Sequence, residues 1–223
     1  MLEAKNLYKV YDDGKRCLQV LSGIGLKIEK GQFIAVVGPS GAGKSTLLHI
    51  LGGLDSPSQG EVIFQGESIY KYNDADLARV RNEKIGFVFQ FFHLLSEFTV
   101  LENVLMPALL GERISSTLKE SALEFLTQVG LGERLTHFPS QLSGGEKQRV
   151  AIVRSLINKP EILLCDEPTG NLDSKSGEDV ISLIKKINLS NRMAVVLVTH
   201  NVELAKVADK IYHLRDGMLE NQV

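Results

Sequence analysis

The sequence predicts an α/β protein: a parallel sheet alternating with helices, preceded by antiparallel strands and interrupted by an inserted helical stretch. Three observations carry this. Phe33-Ile34-Ala35-Val36-Val37 and Ile162-Leu163-Leu164-Cys165 are short apolar runs suited to strands buried on both faces. Strand-like and helix-like segments alternate outside residues 99–158, the order that builds a parallel core. Between those limits the period turns helical, with one stripe at Leu101, Val104, Leu105, Ala108 and Leu109 and another at Leu118, Ala122, Phe125, Leu126 and Val129. We read 1–223 as one domain with a helical subdomain at about 91–158.

Residues 2–11 and 18–28 read as two strands joined by the polar turn Asp12-Asp13-Gly14-Lys15. Lys30-Gly31 turns the chain into the buried strand 33–37. A helix then carries Leu47, Leu48, Ile50 and Leu51, and Gly52-Gly53 and Pro57 break it. Residues 61–64 and 67–70 form a hairpin around Gln65-Gly66, and Asn73 or Asp74 caps a short helix through Arg81. A strand at 85–89 ends on Gln90. Residues 130–140 are loop and 145–158 helix. After the strand 162–165 come a helix at 174–188, a strand at 194–199, a short helix at 202–208 and a closing hairpin at Asp216-Gly217.

Hydrophobic residues at 43% and charged residues at 23% fit a soluble globular protein. A net charge of -2 gives no electrostatic reason to expect nucleic acid. Cys17 and Cys165 offer neither a disulfide framework nor metal-ligand spacing. The first residues lack the apolar core of a signal peptide, and no run reaches the length of a membrane span. The expectation is a cytoplasmic chain that needs a partner for any work at a membrane.

Residues Gly38, Pro39, Ser40, Gly41, Ala42, Gly43, Lys44, Ser45 and Thr46 read G-x-x-x-x-G-K-S plus a threonine, between a strand and a helix. Gly38, Gly41 and Gly43 let successive backbone N–H groups turn inward around a polyphosphate. The helix start adds unpaired N–H groups and its positive dipole end. Lys44 brings a point charge to the outer phosphates, and the Ser45 hydroxyl is placed to ligate Mg²⁺. These features predict a nucleoside triphosphate-binding protein.

Two further stretches narrow the class. The strand at 162–165 ends on Asp166 and Glu167; Asp166 can stand beside the Mg²⁺, and Glu167 can accept a proton from an attacking water. An acidic turn without chemistry is the competing reading. Leu142, Ser143, Gly144, Gly145 and Glu146 precede a helix, so Ser143 and the glycines offer a second anion site of backbone N–H groups.

With these motifs in this order, the sequence resembles the ATP-binding cassette ATPases, whose signature is LSGGQ or LSGGE. The resemblance covers essentially the whole chain. It implies a P-loop core, an antiparallel β subdomain and an α-helical subdomain, with ATP and Mg²⁺ as cofactors. It also implies an ATP-dependent head-to-tail homodimer in which residues 142–146 of one subunit cover the ATP on the phosphate loop of the other. Asp173, in Asn171-Leu172-Asp173, then contacts the opposite subunit. Tyr11 matches the residue that stacks on adenine, with Tyr8 the competing choice. Gln90 matches the glutamine that reaches the metal and the attacking water, and His200 the histidine at the γ-phosphate. Lys147, Asn201 and residues 152–156 depart mildly from the family pattern without removing a catalytic group.

Residues 45–55, 86–95, 99–107 and 167–173 look like the cassette ATPases of the bacterial lipoprotein-releasing system. Such an ATPase sits peripherally on the cytoplasmic face of the inner membrane, beneath integral-membrane subunits. Macrolide and antimicrobial-peptide exporters and the cell-division ATPase share parts of these stretches and are the alternatives. A small-molecule kinase with the same loop leaves residues 142–146 unexplained. Phe91, Phe92, Leu94 and Leu95 directly follow Gln90 and form either subdomain core or a groove for a helix of the membrane subunit.

Overall fold

The computed structural model describes residues 1–12, 14, 16–111 and 115–221. The turn expected at 12–15 includes Asp13 and Lys15, which lie outside the described residues. β1 (Leu2–Asp12) and β2 (Cys17–Ile28) pair antiparallel, with Leu2 opposite Ile28. β3 (Phe33–Val37) leads into α1 (Lys44–Leu51). β4 (Gln59–Phe64), β5 (Glu67–Ser68), α2 (Asp74–Lys84) and β6 (Ile85–Val88) follow. Next come α3 (Val100–Leu110), α4 (Ser116–Gln128) and α5 (Gly144–Leu156). β7 (Ile162–Asp166), α6 (Ser174–Asn191), β8 (Ala194–Thr199), α7 (Val202–Ala205), β9 (Lys210–Arg215) and β10 (Met218–Asn221) complete the chain.

The strands form two sheets. The smaller one has the order β2-β1-β4-β5 and is antiparallel. The larger has the order β10-β9-β3-β8-β7-β6, parallel except for the edge strand β10. Every residue of β3 and β8 is buried, as expected for strands covered on both sides. Alternate residues then divide between two cores. Ile34, Val36, Leu164 and Val196 meet α1 and the antiparallel sheet. Phe33, Ala35, Leu163 and Val195 meet Ile152 of α5 and Val180, Ile181 and Ile184 of α6. Each Val, Leu, Ile or Phe among them contributes roughly 1.5–3 kcal/mol of burial.

α3, α4 and α5 share a third core of Val100, Val104, Ala122, Leu126, Val150 and Val153. Caps fix their starts: Thr99 and Glu102 form a capping box for α3, Ser115 caps α4, and Ser143 with Glu146 forms a second box for α5. α5 is shared, because Ile152 and Leu156 face the sheet while Val150, Val153 and Ile157 face α3 and α4.

The structure amends the sequence reading at several places. The strand expected at 67–70 stops at Ser68, and a 3-10 turn over Ile69–Lys71 buries Ile69. That turn lets the Tyr70 hydroxyl donate to the carbonyls of Ile50 and Asp55, tying it to the end of α1. The expected loop at 130–140 contains two 3-10 turns, Gly132–Arg134 and Pro139–Gln141. Leu109, placed in the apolar stripe of α3, is exposed, because the stripe packs through Val104 and Ala108.

Candidate nucleotide site

The parallel order explains the site. β3 neighbours β8, and β8 neighbours β7, so the C-terminal ends of the three strands gather the phosphate loop, His200 and the Asp166-Glu167 pair. Ligands of open α/β sheets bind at this edge. Gly41 (φ 81°) and Gly43 (φ 99°) take left-handed backbone angles, and Gly43 caps α1. Gly38 has another reason to be glycine: a side chain there would run into the Leu214 carbonyl. Lys44 is 7% exposed, and its Nζ donates to the carbonyls of Gly38 (3.0 Å) and Pro39 (3.1 Å). The ammonium is therefore held over the loop itself.

Ser45 Oγ donates to Asp166 Oδ1 at 2.9 Å. Burial pushes the Asp166 carboxyl above its ordinary pKa, against the opposing effect of the Ser45 hydrogen bond. Glu167 adopts φ 45°, an uncommon angle for a non-glycine residue, and its N–H donates to the Val198 carbonyl of β8. Its carboxylate lies 3.6 Å from Lys44 Nζ and 3.0 Å from His200 Nδ1. Sequence distances of 121 residues (Ser45 to Asp166) and 33 (Glu167 to His200) thus close into one cluster.

Gln90 lies on the loop after β6, with its side chain against Gly170: a Cβ on Gly170 would come within 2.7 Å of Gln90 Nε2. The structure therefore places Gln90 beside the loop that follows Glu167. Four side chains hold the backbone of this segment. Gln148 donates to the Phe89 carbonyl, Asn171 to Gln90, Arg154 to Phe92 and His93, and Asn103 to Leu95. Gln148 and Arg154 belong to α5, so the loop and the helix behind residues 142–146 are joined.

At the start of α5, Ser143 is exposed and its N–H donates to Glu146 Oε2 at 2.8 Å. That bond and the Ser143 hydroxyl hold the Glu146 carboxyl below its usual range. Leu142 is buried in the third core. Gly144 approaches Leu172, and the buried Gly145 sits against Ser176. Asp173 caps α6, accepting from Ser176. The Tyr11 ring is partly exposed; its hydroxyl donates to Asp55 Oδ2 at 2.7 Å and reaches Thr46. Tyr8 instead packs its hydroxyl near Gly23, so the structure puts Tyr11 beside the loop.

Two features escaped the sequence reading. His49 Nε2 lies 3.9 Å from Asp166 Oδ2, and its ring meets Phe89 edge-on. Its place four residues after Ser45, on the same face of α1, was the available signal. The second is a groove of about 1080 Å³ lined by Leu54, Phe87, Phe89, Pro107, Leu110 and Arg154, among others. Phe87 and Phe89 stack there at 5.7 Å. Phe91, Phe92, Leu94 and Leu95 do not line it. Leu94 packs on the third core, Phe92 is half-buried near Gly144, and Phe91 and Leu95 are exposed. Exposure alternates along this irregular loop from Phe91 to Leu95, so the four residues do not form one apolar face.

A phosphate loop at the edge of a parallel sheet, with a carboxylate pair and a histidine on the adjoining strand ends, defines a P-loop nucleotide-binding protein. The ABC transporter family matches residues 21–170, and the chain belongs to that family. It is 49% identical over 220 residues to the lipoprotein-releasing system ATP-binding protein LolD of Shewanella frigidimarina, covering 99% of this chain and 92% of that one. The corresponding LolD of Acinetobacter baylyi is 48% identical over 219 residues, covering 98% and 96%. The dimeric post-hydrolysis structure of the ATP-binding cassette MJ0796 bound to ADP and Pi superposes with a TM-score of 0.91 at 42% identity, covering 99% of this chain and 97% of that one.

Proposed function

We propose that this chain is the ATP-hydrolysing subunit of a membrane complex that releases lipoproteins from the inner membrane toward the outer one. It would act peripherally at the cytoplasmic face. The observation that carries the chemistry is the cluster of Ser45, Asp166, Glu167, His200 and Lys44 at one sheet edge. The cargo rests on the likeness to the LolD proteins over nearly the full chain. Among the described residues no helix is long and apolar enough to cross a membrane, so integral-membrane subunits are part of the proposal.

The residues fit Mg²⁺. Ser45 Oγ and the Asp166 carboxylate are adjacent hard oxygen donors, and the raised Asp166 pKa marks a buried charge that a cation would offset. Ser45 and Asp166 would hold the ion, with Gln90 as a further oxygen donor. Bound there, Mg²⁺ would neutralise charge on the phosphates. Lys44 orients the outer phosphates. Glu167 takes the proton of the attacking water on its carboxylate, which His200 Nδ1 approaches at Oε2, and His200 is the residue assigned to the γ-phosphate. Leu142, Ser143, Gly144, Gly145 and Glu146 cover the partner subunit's ATP in a head-to-tail dimer, and Asp173 contacts that subunit. That the MJ0796 cassette is dimeric with ADP and Pi bound supports a dimer as the working state.

ATP hydrolysis by the purified chain with no acceptor tests the reaction class, and a kinase would turn over little under those conditions. Copurification of lipoprotein-releasing membrane subunits tests the cargo. Recovery of exporter subunits instead would overturn it.

A further inference from the structure

The end of β1 carries a closed polar network at the rim of the phosphate loop. Lys9 is 8% exposed, which is rare for a lysine. Its Nζ donates to Asp55 Oδ1 at 2.6 Å and to the Ser56 carbonyl at 2.7 Å. The other Asp55 oxygen accepts from the Tyr11 hydroxyl at 2.7 Å. The same Lys9 ammonium lies over the Tyr11 ring, 4.7 Å from its centre. The Tyr11 hydroxyl also reaches Thr46 in the first turn of α1. Nearby, Ser58 ties the strand to the loop after α1, accepting from Val10 N–H and donating to the Tyr8 carbonyl.

Burial works against the charge on Asp55, yet hydrogen bonds from Lys9 and Tyr11 hold its pKa below the ordinary value. The carboxylate is therefore charged and fully engaged. An ion pair of this kind, with Lys9 buried and Asp55 partly exposed, is a weak source of stability, because desolvation and solvent screening offset much of the Coulomb gain. What it does supply is a fixed geometry. The Tyr11 ring is anchored at its hydroxyl and covered by a cation on one face, while 44% of the residue stays open.

We propose that Lys9 and Asp55 are positioning residues for the nucleobase: they clamp the Tyr11 ring by its hydroxyl and one face, leaving the other face to stack on the base of the nucleotide held by residues 38–46. The inference rests on the reading of Tyr11 as the stacking residue. A ring already fixed loses no rotamer freedom when the base arrives, so the stacking energy appears in full as affinity. Stacking is tolerant of base identity, so the clamp acts alike on ATP and GTP.

The test compares binding of a non-hydrolysable ATP analogue with binding of inorganic tripolyphosphate, which has no base, on the full chain. Tyr11→Ala should weaken the analogue about 5- to 100-fold and leave tripolyphosphate unchanged. Lys9→Met and Asp55→Asn should each weaken the analogue about 2- to 10-fold, again sparing tripolyphosphate, and should add nothing in the Tyr11→Ala background. Tyr11→Phe keeps the ring but loses the hydroxyl anchor, so it should weaken the analogue by a similar factor of about 2 to 10 and spare tripolyphosphate. If Tyr11→Ala weakens the analogue while Lys9→Met and Asp55→Asn do not, the clamp is wrong and the stacking reading stands. If Tyr11→Ala has no effect, the stacking reading fails, and the clamp with it. An equal loss of tripolyphosphate in Lys9→Met and Asp55→Asn would show a distorted phosphate loop and overturn the proposal.

Discussion

His200 Nδ1 stands 3.0 Å from Glu167 Oε2, so the ends of β8 and β7 share one carboxylate. The other side of that carboxylate faces Lys44 Nζ at 3.6 Å. Replacing Glu167 with Gln keeps the shape and the contact to His200 and removes the proton acceptor. Turnover should fall about 10²- to 10⁴-fold with ATP binding retained. Because bound ATP favours whichever state it bridges, the variant should elute as a dimer in gel filtration with saturating ATP. A monomer peak under those conditions would argue against the sandwich.

Lys44→Ala acts on a different step. The ammonium is 7% exposed and held by the carbonyls of Gly38 and Pro39, where the phosphates of a bound nucleotide would meet it. Loss of charge-assisted hydrogen bonds worth about 1.5–3 kcal/mol should weaken ATP binding roughly 10- to 150-fold. Equilibrium binding measures this directly, and unaltered affinity would remove Lys44 from the site.

Asp166 gives a prediction in pH. Its carboxyl is raised above the ordinary 3.8 by burial, so the folded chain holds this proton more tightly than the unfolded one. Stability therefore falls as pH rises from about 3.8 through the raised folded value and is level above it. Asp166→Asn removes that penalty. The nucleotide-free variant should melt higher than the parent at neutral pH, with the gap closing toward pH 3.8, and should lose hydrolysis. Thermal melts across pH decide it; a lower melting point at neutral pH would contradict the assignment.

If membrane subunits dock in the groove of Phe87, Phe89, Pro107 and Leu110, a polar substitution on its rim weakens the complex without unfolding the chain. Leu110 is 77% exposed, so Leu110→Gln should leave the melting temperature within about 1 °C. Copurification with the membrane subunits should drop. An intact complex would move the docking surface elsewhere.

Gly52 tests how that groove is built. A Cβ there would overlap the Phe87 ring and come within 2.8 Å of Leu164 Cδ1. Gly52→Ala should cost about 1–3 kcal/mol by overpacking and displace Phe87 into the groove. Urea unfolding reads the loss. A neutral change would mean that Phe87 has another place to go.

Local patterns determined much of this protein. The run Phe33–Val37 could bury both faces only as an interior strand, and the glycines and Lys44 could form a phosphate cradle only between that strand and a helix. Caps such as Thr99 with Glu102 and Ser143 with Glu146 were written in spacings of three. These features depend on neighbours in the chain, so a single sequence displays them. Strand order does not: β8 enters between β3 and β7 although it follows both, and only that order sets His200 against Glu167. The Lys9–Asp55–Tyr11 network spans 46 residues, and nothing in the local pattern of β1 marks Lys9 as buried. The apolar cluster after Gln90 was legible as composition, yet burial divides it residue by residue, and a groove nearby is lined by Phe87 and Phe89 instead. Composition names the residues that seek cover; packing between distant elements decides which of them find it.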